Sequence, residues 1–483
     1  MMNSSKISTG IPQLDSILKG GVIKRKSYLI KGGPGTGKST FGYHFLEDGN
    51  DNGESTMLIT LGESEENIRS HSAIQNIDLS GTVILDLGPG KRDLNSTQNY
   101  SVFSPLEVEV EPIISSVVEA IDKHEPTRVM LDSLTMVKYL YENPFQYKSM
   151  ALSLIHQICS SGATLFLISE NHQSSGGEEA EFWVDGVLEV KSGPNWRRLE
   201  VHKYRGSDFQ AGDHAIKITE NGIVVYPRLQ PGKYEKEFQN TPLSSGIDEL
   251  DIMLEGGIEK GTTTIITGPT GAGKTNLGIQ FMKEASSRNE RSVMYTFEEA
   301  TDIIVNRSRL IGVPIESMIQ KGQFSIKSIE PFSFSPDEFA MMVRKDVEEN
   351  DTRIVMIDSI GGYGLSVREE DALERLHSLC TYLGNVGVSV FLVNETQNIT
   401  GTFVTTNMNA SYLADNIIYL RYLELSGELK KSIGILKKRL SDFEKTIREF
   451  KITGEGIKIG PPLSNISGIL SGTPRHEDRP GDK

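Results

Sequence analysis

The chain has 483 residues, 50 Lys and Arg against 65 Asp and Glu, and a formal charge of -15. At about 100 to 200 residues per domain, that length predicts two to four domains, each large enough for a substantial core. The acidic balance argues against a broad nucleic-acid surface, leaving room only for a local basic groove. No stretch reaches the ~18 uninterrupted apolar residues of a membrane helix. The first residues, MMNSSKISTGIPQLD, lack a basic-then-apolar signal, so a cytoplasmic protein with no membrane partner is expected.

In chain order, the opening Ser8-Thr9-Gly10-Ile11 and Asp15 precede Tyr28-Leu29-Ile30, an apolar run that reads as a buried strand. Gly32 through Ser39 (GGPGTGKS) follows and fits the phosphate-binding pattern G-x-x-x-x-G-K-[ST], with helix-compatible Phe41 to Leu46 behind it. Gly33, Gly35, Thr36, Gly37, Lys38, Ser39 and Thr40 form the expected nucleotide-binding set. The glycines let backbone N–H groups turn around phosphate oxygens, the lysine reaches the terminal phosphates, and the Ser39 hydroxyl ligates Mg²⁺. Met57 to Leu61 reads as the next strand, followed by Gly62-Glu63-Ser64-Glu65-Glu66. A carboxylate such as Glu63 at a strand end can polarise an attacking water; the plainer reading is an acidic turn favouring the next helix through its dipole. Val129 to Leu131 is a further apolar strand ending in Asp132, a position from which an aspartate holds the metal or its water shell. The alternative there is a carboxylate capping the following turn.

The second half repeats this order. Lys38 recurs as Lys274, 236 positions on, Ser8-Thr9-Gly10-Ile11 as Ser244-Ser245-Gly246-Ile247, and Asp15 as Asp251. Val129 to Ser133 returns as Val355 to Ser359 at an offset of 226, and the ten-residue difference is assigned to a Gly/Pro/Asn/Ser-rich insertion from Gly88 to Ser101. Gly162 to Glu170 matches Gly387 to Glu395. A period above 200 residues means tandem domains, because solenoids and propellers repeat at about 20 to 50. Each half is therefore a complete α/β unit. The expected layout is a first domain over 1–230, a linker over 231–240, a second domain over 241–460 and an extended tail over 461–483. The second phosphate loop, GPTGAGKT, supplies Gly271, Ala272, Gly273, Lys274, Thr275 and Asn276, with Thr275 and Asp358 on the Mg²⁺ side. Its strand-end acids are Glu298 and Glu299; Glu63 aligns with Glu299 and Gly62 with Glu298, so the first half lacks one acid. Cys159 and Cys380 stand at non-equivalent places in apolar helical segments and read as buried thiols.

The S-T-G-I-P-x-L-D opening before GGPGTGKS, the strand followed by Glu298-Glu299, the strand-end aspartates and HKYRGSD (His202 to Asp208) together resemble the KaiC family of circadian-clock ATPases. The resemblance spans almost the whole chain. It departs at Phe403 to Ser411, and at Gly62 and Leu440, where the family usually has Glu and Gly. It implies two tandem RecA-like P-loop domains, each a mostly parallel twisted sheet flanked by helices, that use ATP and Mg²⁺ in a two-tier homohexameric ring. A neighbouring subunit would complete each site with Lys203 and Arg205, or Lys437 and Arg439, each a basic-x-basic pair expected on a strand with both side chains on one face. Ser411 and Tyr412 match the adjacent Ser and Thr that the family phosphorylates on itself, with Thr405 and Thr406 as fallback acceptors. Three functions follow: a ring ATPase and Ser/Thr autokinase acting as a switch for protein partners of unknown identity, a recombinase-like DNA-dependent ATPase, and a nucleotide-binding scaffold with little turnover. The acidic charge and the lack of a Lys/Arg-rich loop weigh against the second.

Overall fold

The computed structural model describes residues 5–88, 110–139, 143–170, 177–194, 196–367, 371–396, 410–425, 427–464, 466–467 and 475–476. The chain divides into two compact units, Met1–Arg228 and Leu229–Lys483. Among the described residues each unit is built on a nine-stranded sheet.

In the first unit the sheet runs from the Gly222–Tyr226 edge through Asp213–Thr219, Arg197–Tyr204, Gly186–Ser192, Ser27–Gly32, Thr164–Glu170, Arg128–Asp132 and Thr56–Thr60 to Val83–Asp86. From Gly186–Ser192 to Val83–Asp86 every pairing is parallel, while the last three strands at the other end are antiparallel. The second unit has the same plan. Phe324–Ser328, Arg291–Thr296, Thr352–Asp358, Ser389–Glu395, Thr263–Gly268 and Asn416–Leu425 are parallel, followed by antiparallel Glu428–Lys438, Arg448–Thr453 and Gly456–Pro462. The expected α/β class with a mostly parallel sheet is what the chain adopts. Central strands buried on both faces explain their unbroken apolar runs: Tyr28, Leu29 and Ile30, and likewise Ile265 and Ile266, are at most 1 % exposed.

The repeated opening proves to be a structural clasp. Asp15 accepts from the Thr9 backbone N–H at 2.8 Å and its hydroxyl at 2.7 Å, and Asp251 does the same for Ser245 at the same distances. Both segments are thereby held in a turn, which is why the pattern recurs at fixed spacing.

Leu229, read from sequence as the end of the first domain, and the residues read as a linker pack against the second unit. Leu229 is buried in that unit's core, the Tyr234 ring meets Tyr382 edge-on at 5.1 Å, and the Lys236 N–H donates to the Asn385 carbonyl at 3.0 Å. The Phe238 ring lies over Gly261 and Gly387, where any Cβ would come within 2.7 Å of it. Ring contact with bare backbone accounts for glycine at those two positions. Both cysteines are free, and burial pushes their thiols up, Cys159 to about 11 and Cys380 to about 12, as expected for inert small hydrophobes. The stretch assigned to the insertion lies mostly outside the described residues.

Candidate functional site

Each phosphate loop joins a central strand to a helix. Ser27–Gly32 leads into the helix Lys38–Asp51, and Thr263–Gly268 leads into Lys274–Ser287. Gly37 and Gly273 cap these helices at φ +96° and +109°, a left-handed conformation that L side chains rarely adopt. That kink turns the first backbone N–H groups of the helix toward one point, an anion site by construction. Lys38 Nζ donates to the Gly33 carbonyl at 2.7 Å and Lys274 Nζ to the Pro269 carbonyl at 2.9 Å, so each lysine folds back over its own loop. Burial lowers the pKa of both, against the pull of Glu170 and Asp132 in the first unit and of Glu395, Asp358 and Glu298 in the second.

The structure brings the predicted metal-side groups together twice. Ser39 Oγ donates to Asp132 at 2.6 Å, and Thr275 Oγ1 donates to Asp358 at 2.7 Å. These are hydroxyl and carboxylate oxygens, the hard donor set that suits Mg²⁺. Burial raises both carboxyls, and Asp358, with Glu298 nearby adding to the effect and the Thr275 hydroxyl opposing it, reaches about 6. A divalent cation between Asp358 and Thr275 would relieve that cost, so the residues fit the ion. Thr40 has its hydroxyl bonded to Gln75 at 3.1 Å, whereas buried Asn276 keeps its side-chain oxygen without a hydrogen-bond partner. Thr36 Oγ1 closes the first loop onto the Gly33 carbonyl at 2.9 Å, and Ala272, its counterpart, is fully buried.

The strand-end acids separate into two kinds. Glu298 accepts from the Ser359 hydroxyl at 2.5 Å, beside Asp358. Glu299 is clamped by both terminal nitrogens of Arg307 at 2.7 and 2.8 Å, and Glu63 pairs with His71 Nδ1 at 2.7 Å. Glu63 and Glu299 also share a backbone turn, each N–H donating to the threonine three residues earlier at 3.1 and 3.2 Å. The alignment of those two residues is therefore matched in geometry, and both are engaged with a base eight residues on.

The basic pairs sit at strand ends. Lys203 and Lys437 lie on strands, but these end at Tyr204 and Lys438, so Arg205 and Arg439 fall beyond them. The register irregularity precedes each lysine, at His202 and Leu436, and burial still alternates through both pairs, with Tyr204 and Lys438 buried between a partly exposed lysine and an exposed arginine. Lys203 Nζ donates to the Glu181 carbonyl at 2.6 Å and Lys437 Nζ to that of Ala414 at 2.5 Å, while Arg439 pairs with Asp415 at 3.1 Å. Burial, reinforced by the neighbouring arginine, lowers the pKa of both lysines.

Ser411 and Tyr412 sit in the short 3-10 helix Ala410–Leu413, Ser411 half-buried and Tyr412 50 % exposed beside His377. Thr405 and Thr406 lie outside the described residues. Sequence reasoning missed Lys431, whose ammonium reaches the Gly271 carbonyl of the second loop at 2.8 Å, and Ser359, the partner of Glu298. Ser359 was within view, directly after Asp358; Lys431 carries no local signal.

A family model described as "ATPase: KaiC" matches residues 7–230 and again 243–464. The chain is 28 % identical to the circadian clock protein KaiC3 of Synechocystis sp., over 98 % of this chain and 95 % of that protein. It is 28 % identical to the circadian clock oscillator protein KaiC of Parasynechococcus marenigrum (98 % and 94 % covered) and 27 % identical to that of Synechococcus elongatus (97 % and 92 %). No helix among the described residues is long and apolar enough to cross a membrane. With two phosphate loops, each paired to a strand-end aspartate, and a family match over both units, the chain belongs to the KaiC family of tandem ATPases.

Proposed function

We propose that the protein binds Mg²⁺·ATP in both units, is an ATPase, and phosphorylates itself in the second unit, acting as a nucleotide-dependent switch within a homohexameric ring. The observation that carries the reading is the twofold hydroxyl–aspartate couple, Ser39–Asp132 and Thr275–Asp358, at the mouth of a lysine-bearing loop. The loop amides and Lys38 or Lys274 would hold the phosphates, the couple would hold Mg²⁺, and the ion would neutralise charge developing on the γ-phosphoryl group. Lys203, Arg205, Lys437 and Arg439 would approach that group from the neighbouring subunit.

For self-phosphorylation, the Ser411 oxygen attacks the γ-phosphorus, its proton passes to Glu298, and the bond to the bridging oxygen breaks with its electron pair leaving on ADP. What supports Ser411 is its partly exposed place on a short helix, with its own carbonyl 3.5 Å from the Lys437 ammonium. Tyr412 is the less suited acceptor, since its side chain is longer than that of the Thr whose place it takes and would overshoot the γ-phosphate. Incubation with Mg²⁺·ATP followed by phosphosite mapping tests this. Phosphate on Ser411 is expected, and its absence from residues 400–412 in protein that turns over ATP would leave a ring ATPase without kinase activity.

A further inference from the structure

The two units differ by a paired exchange in the place where an attacking water must be oriented. In the second unit Glu298 accepts from Ser359, and the residue across from it is Gly362, where a Cβ would lie 2.7 Å from Phe297 Cβ and 3.0 Å from Glu298 Oε1. A side chain at Gly362 would overlap Phe297 and crowd the Glu298 carboxylate. In the first unit Gly62 stands for Glu298, and Met136, at the repeat offset of 226, stands for Gly362. A Cβ on Gly62 would meet Met136 Cγ and Cε at 3.7 Å, so the methionine side chain borders the corresponding volume. Acid-against-glycine in the second unit is glycine-against-methionine in the first, and the acid is gone. The remaining acid, Glu63, matches Glu299 in backbone and is held by His71 as Glu299 is held by Arg307. The first loop, its lysine and the Ser39–Asp132 couple are nevertheless intact.

We propose that the second unit carries the hydrolysis, with Glu298 as the residue that takes the proton of the attacking water, and that the first unit binds Mg²⁺·ATP and retains it unhydrolysed. This rests on the ATPase reading above. In the second unit the water oxygen attacks the γ-phosphorus, the water proton goes to Glu298, and the bond to the bridging oxygen breaks, its electron pair leaving on ADP. In the first unit no carboxylate stands at that position, so bound ATP is a stable ligand. Glu299 is a positioning residue that fixes the strand-end turn through Arg307.

The test uses the full chain and follows phosphate release together with the ATP retained per chain after rapid removal of free nucleotide. Wild-type protein is expected to retain close to one ATP per chain. Glu298→Gln should lower turnover by about 10²-fold or more, the scale of a lost general base, with retention undiminished. Adding Gly62→Glu with Met136→Gly to the Glu298→Gln chain should restore turnover and discharge the retained ATP, while Gly62→Gln with Met136→Gly, equal in size but without a base, should not. Residual turnover above about a third of wild type in Glu298→Gln overturns the proposal, as does equal turnover from the Glu and Gln versions of the double exchange. If wild-type protein retains ATP in both units and releases no phosphate, the broader ATPase reading fails instead.

Discussion

At the scale of single residues, the Asp358 carboxyl makes nucleotide binding sensitive to pH. Burial lifts it to about 6, from an ordinary value near 4, because the ionised form has given up water for a site containing Glu298. A group raised in the folded state favours folding when protonated. Its contribution to stability is thus present below the unfolded value and is lost as pH rises through about 6. Metal binding has the opposite sign, since the cation requires the carboxylate charged. Mg²⁺-dependent ATP binding by the second unit should therefore weaken as pH falls from 7.5 to 5.5, while the nucleotide-free unit gains stability from this group. Asp358→Asn should flatten both dependences. Titration calorimetry of a Lys38→Ala chain, in which the second unit is the remaining site, checks this; an unchanged Mg²⁺ dependence across that range would refute the role given to Asp358. The aspartate was readable from sequence, as a charge ending an apolar strand. The Met136–Gly362 exchange was not, because each is far in sequence from the acid position it faces.

At the scale of elements, the clearest departure of one repeat from the other is Arg128, which opens the Arg128–Asp132 strand at 1 % exposure. Its guanidinium pairs with Asp48 at 2.8 Å and Glu54 at 2.6 Å, donates to the carbonyls of Phe45 at 2.8 Å and Ser8 at 3.0 Å, and lies over the Phe45 ring. One side chain thus ties the strand carrying Asp132 to the phosphate-loop helix and to the opening segment. The second unit has buried Ile354 at the equivalent place, so the fold does not require a cation there. Exchanging Arg128 alone for Ile leaves two partly buried carboxylates and two carbonyls without their donor, and about 3 kcal/mol of the first unit's stability should go with it. The measurement is denaturant unfolding of the Arg128→Ile chain, with the second unit's transition as internal reference. A shift under ~1 kcal/mol would mean that water replaces the guanidinium freely. Strand and helix positions were legible because buried parallel strands write themselves as apolar runs ahead of Gly-rich loops. The ends of the antiparallel strands were not, since their length is set by partners elsewhere in the sheet. Arg205 and Arg439 were consequently assigned to strands that stop one residue short of them.

For the whole molecule, the two units share more than their phosphate loops: large apolar side chains stay exposed at equivalent positions. Ile74 at 72 % corresponds to Leu310 at 75 %, and Phe182 at 74 % to Tyr412 at 50 %. Isolated exposed hydrophobics need no explanation, but the same pair of positions kept apolar in both units argues for burial against another surface. In the proposed ring that surface belongs to the next subunit, and ATP bridges the joint between a loop lysine on one side and the basic pairs on the other. If the first unit holds ATP without hydrolysing it, its joints persist while those of the second loosen at each turnover. Loss of the first loop should then cost assembly more than loss of the second. Lys38→Ala is expected to shift the population toward single chains in Mg²⁺·ATP, whereas Lys274→Ala keeps the oligomer and loses turnover. Native mass measurement in ATP, in ADP and without nucleotide separates the outcomes. Equal dissociation by both variants would place the lasting joints in both tiers, and an oligomer that survives without nucleotide would mean that the exposed side chains alone hold the subunits together, leaving ATP no part in assembly.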